Sequence, residues 1–226
     1  MISRLRCAAL LVCAFVAAVH AHAGTAEDAY GAMGIKPGSV LSGSVLSARV
    51  LPGEAKQVIA MVTYFTGKSD DAGAVNVRLE VLRKDPQGLV SVYSRDFGKE
   101  TGGLVGRGDV ELVDLDGDGT SEIVVSYDSF SSPLVQRRAG EVVVRESAGF
   151  RVAWSGDMEY DATRAAREVS VERRDRFVRK LDPAATLRTH GITLFMIKKM
   201  IAVAGERLAE PREIRETFPL RTAPQP

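Results

Sequence analysis

The sequence predicts an all-β protein built from repeated antiparallel meanders, and three observations point there. Val75, Val77, Leu79 and Val81 alternate with Asn76, Arg78 and Glu80, while Phe150, Val152 and Trp154 alternate with Arg151, Ala153 and Ser155. That period of two belongs to strands with one buried face. Asp85-Pro86-Gln87-Gly88 has the composition of a tight turn, and residues 89–93 read as the return strand. The third observation is an internal echo. Val62-Thr63-Tyr64 recurs as Val125-Ser126-Tyr127, 63 positions later, and Tyr93-Ser94 recurs as Trp154-Ser155, 61 positions later. Two related units follow, 44–98 and 108–157, each a meander of four strands.

The chain opens with a secretory leader over residues 1–23. Arg4 and Arg6 precede a short apolar run over 7–19, and Ala21-His22-Ala23 is a small-x-small cleavage site. The run is too short to span a bilayer, so the sequence predicts a periplasmic or secreted protein with no stable membrane insertion after cleavage. Cleavage removes Cys7, Cys13, His20 and His22, leaving His190 as the remaining histidine. Without cysteine the mature chain has no disulfide, no thiol nucleophile and no Cys/His zinc site. Stability must come from a core or a bound metal.

Residues 24–43 are rich in Gly and Ala without a clear period and read as a poorly ordered lead-in. The β-domain follows over 44–216, with a C-terminal β-rich part from 158. There, 162–167 suggests a short helical turn, and Val169 and Val171 alternate with charges as in a strand. The apolar run 192–204, between Gly191 and Gly205, reads as a strand from its β-branched content, although Leu194, Ile197, Ile201 and Ala204 would also make a helix face. Residues 217–226, with three prolines, read as a tail.

Charge excludes one class of partner. The chain carries 30 basic and 29 acidic side chains, a formal net charge of +1, and losing Arg4 and Arg6 with the leader brings it to −1. Near neutrality gives no case for nucleic acid. The distribution is uneven: residues 108–135 hold seven acids and no Lys or Arg, whereas 164–199 is basic.

The acids concentrate in Asp114-Leu115-Asp116-Gly117-Asp118-Gly119-Thr120-Ser121-Glu122. Carboxylates at relative positions 1, 3, 5 and 9 converge when such a loop curls, and the two glycines permit the curl. Crowded hard oxygens with no His or Cys suit Ca²⁺. An EF-hand would need an acid at position 12, where Val125 stands, and helices on either side. The loop instead resembles the calcium loop of FG-GAP repeats, the blades of integrin-α-type β-propellers. That resemblance implies Asp114, Asp116, Asp118 and Glu122 as side-chain ligands and Thr120 as a backbone-carbonyl ligand. Since a single loop of this kind occurs, it implies a propeller-blade-like meander and not a complete propeller. The affinity expected of an extracellular module is on the order of 0.1–1 mM.

Other motifs carry less. Arg107-Gly108-Asp109 spells an adhesion tripeptide, a length at which chance matches are common. His190 beside Gly191 reads as a turn residue, and no nucleophile elbow accompanies it. Tyr64, Tyr93, Tyr127 and Trp154 recur at matching strand positions and read as core or sheet-face residues.

These observations lead first to an exported, non-catalytic β-protein whose single calcium loop supports a structural or binding role toward a protein or polysaccharide ligand. A calcium-dependent hydrolase using paired carboxylates is one alternative. The other is an interaction module that docks an acidic partner through the basic C-terminal region.

Overall fold

The structure, a computed structural model, describes residues 23–67, 75–98, 104–130, 134–147, 149–164 and 174–220. The basic and apolar segments expected to form a leader, Val169 and Val171, and the last six residues lie outside this set. The described residues form two antiparallel sheets, and neither closes into a barrel. The first contains β1 (Val40–Ala48), β2 (Gln57–Phe65), β3 (Val75–Asp85) and β4 (Gly88–Asp96), paired in chain order. The second contains β5 (Leu104–Val113), β6 (Glu122–Phe130), β7 (Gln136–Glu146), β8 (Gly149–Asp161), β9 (Arg176–Leu181), β10 (Thr193–Val203) and β11 (Glu206–Pro219), also in chain order. Helix α1 (Ala23–Ala32) precedes the first sheet, and α2 (Pro183–Leu187) joins β9 to β10. All-β meanders are therefore what the chain forms.

Strands β1–β4 and β5–β8 match feature for feature. Ala48 pairs with Gln57 and Val113 with Glu122, so loops 49–56 and 114–121 have the same length at an offset of 65. Asp85 pairs with Gly88 and Glu146 with Gly149 across equally tight turns, at an offset of 61. In the first meander the register slips between Val81, opposite Tyr93, and Leu82, opposite Ser91. In the second it slips between Val142, opposite Trp154, and Val143, opposite Val152. All four residue pairs of this bulge again differ by 61. A bulge kept at one position of two units is a shared structural device, since it re-aims the strand beyond it. The Tyr93/Trp154 echo lies in this register, whereas the Val62/Val125 echo is displaced by two residues from the loop offset and so keeps its face.

The two meanders stack front to back. Ile59, Met61, Val77, Leu79 and Val81 face the second sheet, where they meet Ile123, Val125, Tyr127 and Val143. The positions that match Val81 and Tyr93 are Val142 and Trp154, and these point onward, away from the first sheet. There they pack with Leu194, Met196 and Leu220 from the far end of their own curling sheet. The back of the first sheet (Val45, Ala60, Val62 and Leu82) is covered by Ala29, Met33 and Ile35. Helix α1 thus caps one end of the stack and β10–β11 the other. The sheets come close at Gly108: its N–H donates to Thr63 Oγ1 at 3.1 Å, and a Cβ there would lie 2.6 Å from Val77 Cγ1. Arg95 reaches across to Glu141 through two hydrogen bonds of 2.8 Å.

Three boundaries differ from the sequence reading. The lead-in 24–43 is structured: it forms α1, a 3₁₀ turn at Pro37–Ser39 and the start of β1. Its order comes from burial of Ala29 and Met33 against the sheet, a tertiary effect that local composition hides. The second unit does not end at 157, because β8 runs to Asp161 and β9–β11 extend the same sheet. The tail does not begin at 217 either. Strand β11 continues to Pro219, and buried Leu220 donates its N–H to Ile192 O at 2.9 Å. The run 192–204 contains a strand, as its β-branched content predicts.

Candidate metal centre

Loop 114–121 connects β5 to β6 and is shaped by its own carboxylates. Asp114 accepts from the N–H groups of Gly117 (2.6 Å) and Gly119 (3.1 Å) through its two oxygens. Asp116 Oδ1 accepts from Asp118 N at 3.1 Å. Asp118 Oδ1 accepts from Thr120 N at 2.7 Å and from the Thr120 hydroxyl. Side chains that satisfy N–H groups a few residues ahead are what let Asp hold a turn without a ladder. Gly117 and Gly119 both sit at φ 81°, which a Cβ would strain. Leu115, fully buried, anchors the loop in the onward-facing core.

The strand-side acid is the clamp. Glu122 is 3 % exposed, and its Oε2 accepts from Leu115 N at 2.8 Å. The matching hairpin of the first meander uses the same device: Gln57, 1 % exposed, accepts through Oε1 from Val50 N (3.0 Å) and Leu51 N (3.1 Å). Val50 is buried as Leu115 is. The neutral Gln suffices to hold a hairpin, so the charge at position 122 is additional to what the backbone needs.

Asp114, Asp116 and Glu122 bring carboxylate oxygens within 4.8 Å of one another, an arrangement able to hold a metal ion. That spread fits oxygens gathered around one divalent ion, since ligands on opposite sides of an ion at about 2.0–2.6 Å are separated by roughly twice that distance. Asp118 is not among the three; it is turned onto Thr120, which is itself buried. Of the five residues expected as ligands, the structure thus gathers three side chains and pairs the other two with each other.

Sequence reasoning missed what packs around the loop. Ser121 N donates to Arg49 O of the first meander's hairpin at 2.8 Å. From the other side comes the turn after α2, a short helix that begins at Pro183 with Asp182 accepting from Ala185 N at 3.0 Å. A Cβ on Gly191, at φ 68°, would lie 2.5 Å from the Asp116 Cβ, and one on Gly117 would lie 3.1 Å from Leu187 Cδ1. Three parts of the chain, distant in sequence, meet at the acidic loop. The Gly191 signal was visible in the sequence, but its neighbour Asp116 was not. His190, exposed at φ 50°, is a residue of that turn.

A second charged region lies at the opposite end of β5 and β6, around a cavity of about 560 Å³. Arg138 bridges Asp109 and Asp128, and its Nε donates to Ser126 Oγ at 3.1 Å. Asp161 is held by Arg176 at 3.3 Å. The adhesion-like tripeptide belongs here, inside β5, with its glycine buried between the sheets. Tyr127 and Trp154 are core residues, in ring contact with Phe97 (4.4 Å) and Phe218 (5.8 Å) respectively. Among the described residues no helix is long and apolar enough to cross a membrane. No protein-family model, curated protein or solved structure matches the chain.

Proposed function

We propose that the protein is an exported, calcium-stapled β-module with a structural or binding role, in which Asp114, Asp116 and Glu122 hold Ca²⁺ and Thr120 and Asp118 complete the loop in the manner of the FG-GAP calcium loop. The observation that carries this reading is the convergence of three carboxylates within 4.8 Å at the point where the two meanders and the α2 turn meet. An ion there would offset the mutual repulsion of the carboxylates and tie Arg49's hairpin, the loop and Gly191's turn into one unit. Calcium is preferred over magnesium because it accepts about six to eight oxygens in a forgiving geometry, whereas magnesium demands a near-ideal octahedron and gives up its water reluctantly.

The hydrolase alternative requires two carboxylates able to exchange protons in a cleft. Around the cavity, Asp109, Asp128 and Asp161 are already ion-paired with arginines, which favours the structural reading. The basic C-terminal residues Arg179 and Lys198 likewise meet Glu216 within the chain, which weakens the case for an acidic partner docking there.

Thermal unfolding in calcium, magnesium and chelator tests the reading. At free calcium near one hundred times the dissociation constant, binding only the native state is worth about 2.7 kcal/mol. For a chain of this size that raises the melting temperature by about 5–10 °C. Magnesium should do much less. An unchanged melting temperature in millimolar calcium overturns the proposal.

A further inference from the structure

Strand β11 is the terminal strand of the second sheet: it pairs with β10, and among the described residues no strand lies along its other edge. We propose that this edge pairs antiparallel with the β11 edge of a second copy of the chain, about a two-fold axis through Ile214. The order of charges carries the inference. The run is Arg212-Glu213-Ile214-Arg215-Glu216, and antiparallel self-pairing centred on Ile214 sets Glu213 opposite Arg215 of the second copy and Arg212 opposite Glu216 of the second copy. Each pair occurs twice by symmetry, and every pair joins opposite signs. Ile214 meets its own equivalent on the axis. Such an isologous contact closes at two copies.

Exposed edges are commonly protected by charge, and the order of signs distinguishes protection from pairing. A strand guarded against its own kind carries charges that repel when two copies approach. This one carries charges that attract in one register. The side chains are also available. Arg212, Glu213, Ile214 and Arg215 are all exposed. Arg215 is held loosely, by a 3.5 Å contact to Asp182 and by a guanidinium 6.0 Å from the centre of the Phe195 ring. Glu216 is shared with Arg179 at 2.6 Å, so the central Glu213–Arg215 pairs dominate. Pro211 lacks an N–H to offer, but it lies within the irregular stretch between Arg207 and Arg212, where the register with β10 shifts, and so falls outside the run 212–216 that pairs about the axis. Joining two edges would extend the seven-stranded sheet across the axis, with main-chain hydrogen bonds supplying affinity and side-chain pairs the register.

Analytical ultracentrifugation of the purified chain at low ionic strength tests this, using Glu213→Arg and Arg215→Glu. Each variant alone places like charges opposite each other twice and should weaken the dimer about tenfold or more, given the cost of like charges directly opposite in a sheet. Mixed in equal amounts, the two variants regain opposite signs at both central pairs. The mixture should therefore dimerise within about threefold of wild type, and lose that association as salt screens it. Circular dichroism confirms folding of each variant. Glu213→Lys and Arg215→Asp, which make the same sign changes at the same exposed positions, replace either variant that fails to fold. A monomeric wild type at high micromolar concentration overturns the proposal. So do weakened variants that dimerise like wild type, or a mixture of folded variants that associates no better than its components.

Discussion

Replacing Glu122 with Gln separates the backbone role of this side chain from its charge. Gln retains an oxygen to accept from Leu115 N, as Gln57 does in the matching hairpin. It removes one of three carboxylates whose oxygens lie within 4.8 Å. Two unit charges at that spacing repel by about 1 kcal/mol in water and about 3.5 kcal/mol at an effective permittivity near 20. Glu122 interacts with two such neighbours, and Asp114 and Asp116 are near solvent, so the relief lies toward the lower figure, about 2 kcal/mol in total. In chelator at neutral pH, Glu122→Gln should therefore melt about 4–8 °C above wild type. In calcium the order should change: wild type rises with added ion, the variant stays flat, and the two curves cross. Glu122→Ala removes both roles, leaves a buried N–H without an acceptor, and should fall about 1–3 kcal/mol below the Gln variant in chelator. Differential scanning fluorimetry across a calcium titration measures all three. The reasoning fails if the Gln variant is no more stable than wild type in chelator, or if it keeps the wild-type response to calcium.

Three further outcomes are expected. Arg95→Met leaves Glu141, whose side chain is 6 % exposed, without its inter-sheet partner, and should cost about 3 kcal/mol in urea unfolding; adding Glu141→Leu should recover most of that loss. Gly191→Ala adds a Cβ against Asp116 at a strained φ, and should weaken calcium binding about tenfold by calorimetry while lowering the melting temperature, since a shift of about 1.4 kcal/mol is a factor of ten. Gln57→Leu strands the N–H groups of Val50 and Leu51 and should cost about 2–4 kcal/mol in chelator while keeping a rise in melting temperature with calcium, because all three clustered carboxylates lie outside that hairpin.

Much of the fold could be read from single residues. Val77, Leu79 and Val81 announce a strand because period two leaves no other consistent face, although its second face, with Asn76 and Glu80, is buried as well, and Asp85-Pro86-Gln87-Gly88 can hardly be anything but a turn. The acidic loop was legible because its composition exceeds what a hairpin needs. What stayed hidden depended on distant partners. Ala26, Ala29, Tyr30 and Met33 are spaced as a helix stripe, yet such small residues carry little signal until a sheet lies beneath them. The turn that packs on Asp116 comes from a segment some seventy residues later, and no local pattern encodes that meeting. Asp118 was indistinguishable from its neighbours in sequence; only the curl of the loop decides that it faces Thr120.

The unbroken chain order of both sheets bears on how the protein acquires its shape. Within each sheet every strand pairs with its neighbours in chain order, so no ladder there waits for a strand from elsewhere in the sequence. Local closure of this kind favours fast folding for a β-protein, because little loop entropy is lost before contacts form. It also sets a direction. A chain emerging from its amino end can complete the first sheet at β4 and then add strands one at a time to the second, whose growing edge ends as β11. The slow steps are then those that join remote parts: Arg95 finding Glu141, and the α2 turn settling on the acidic loop.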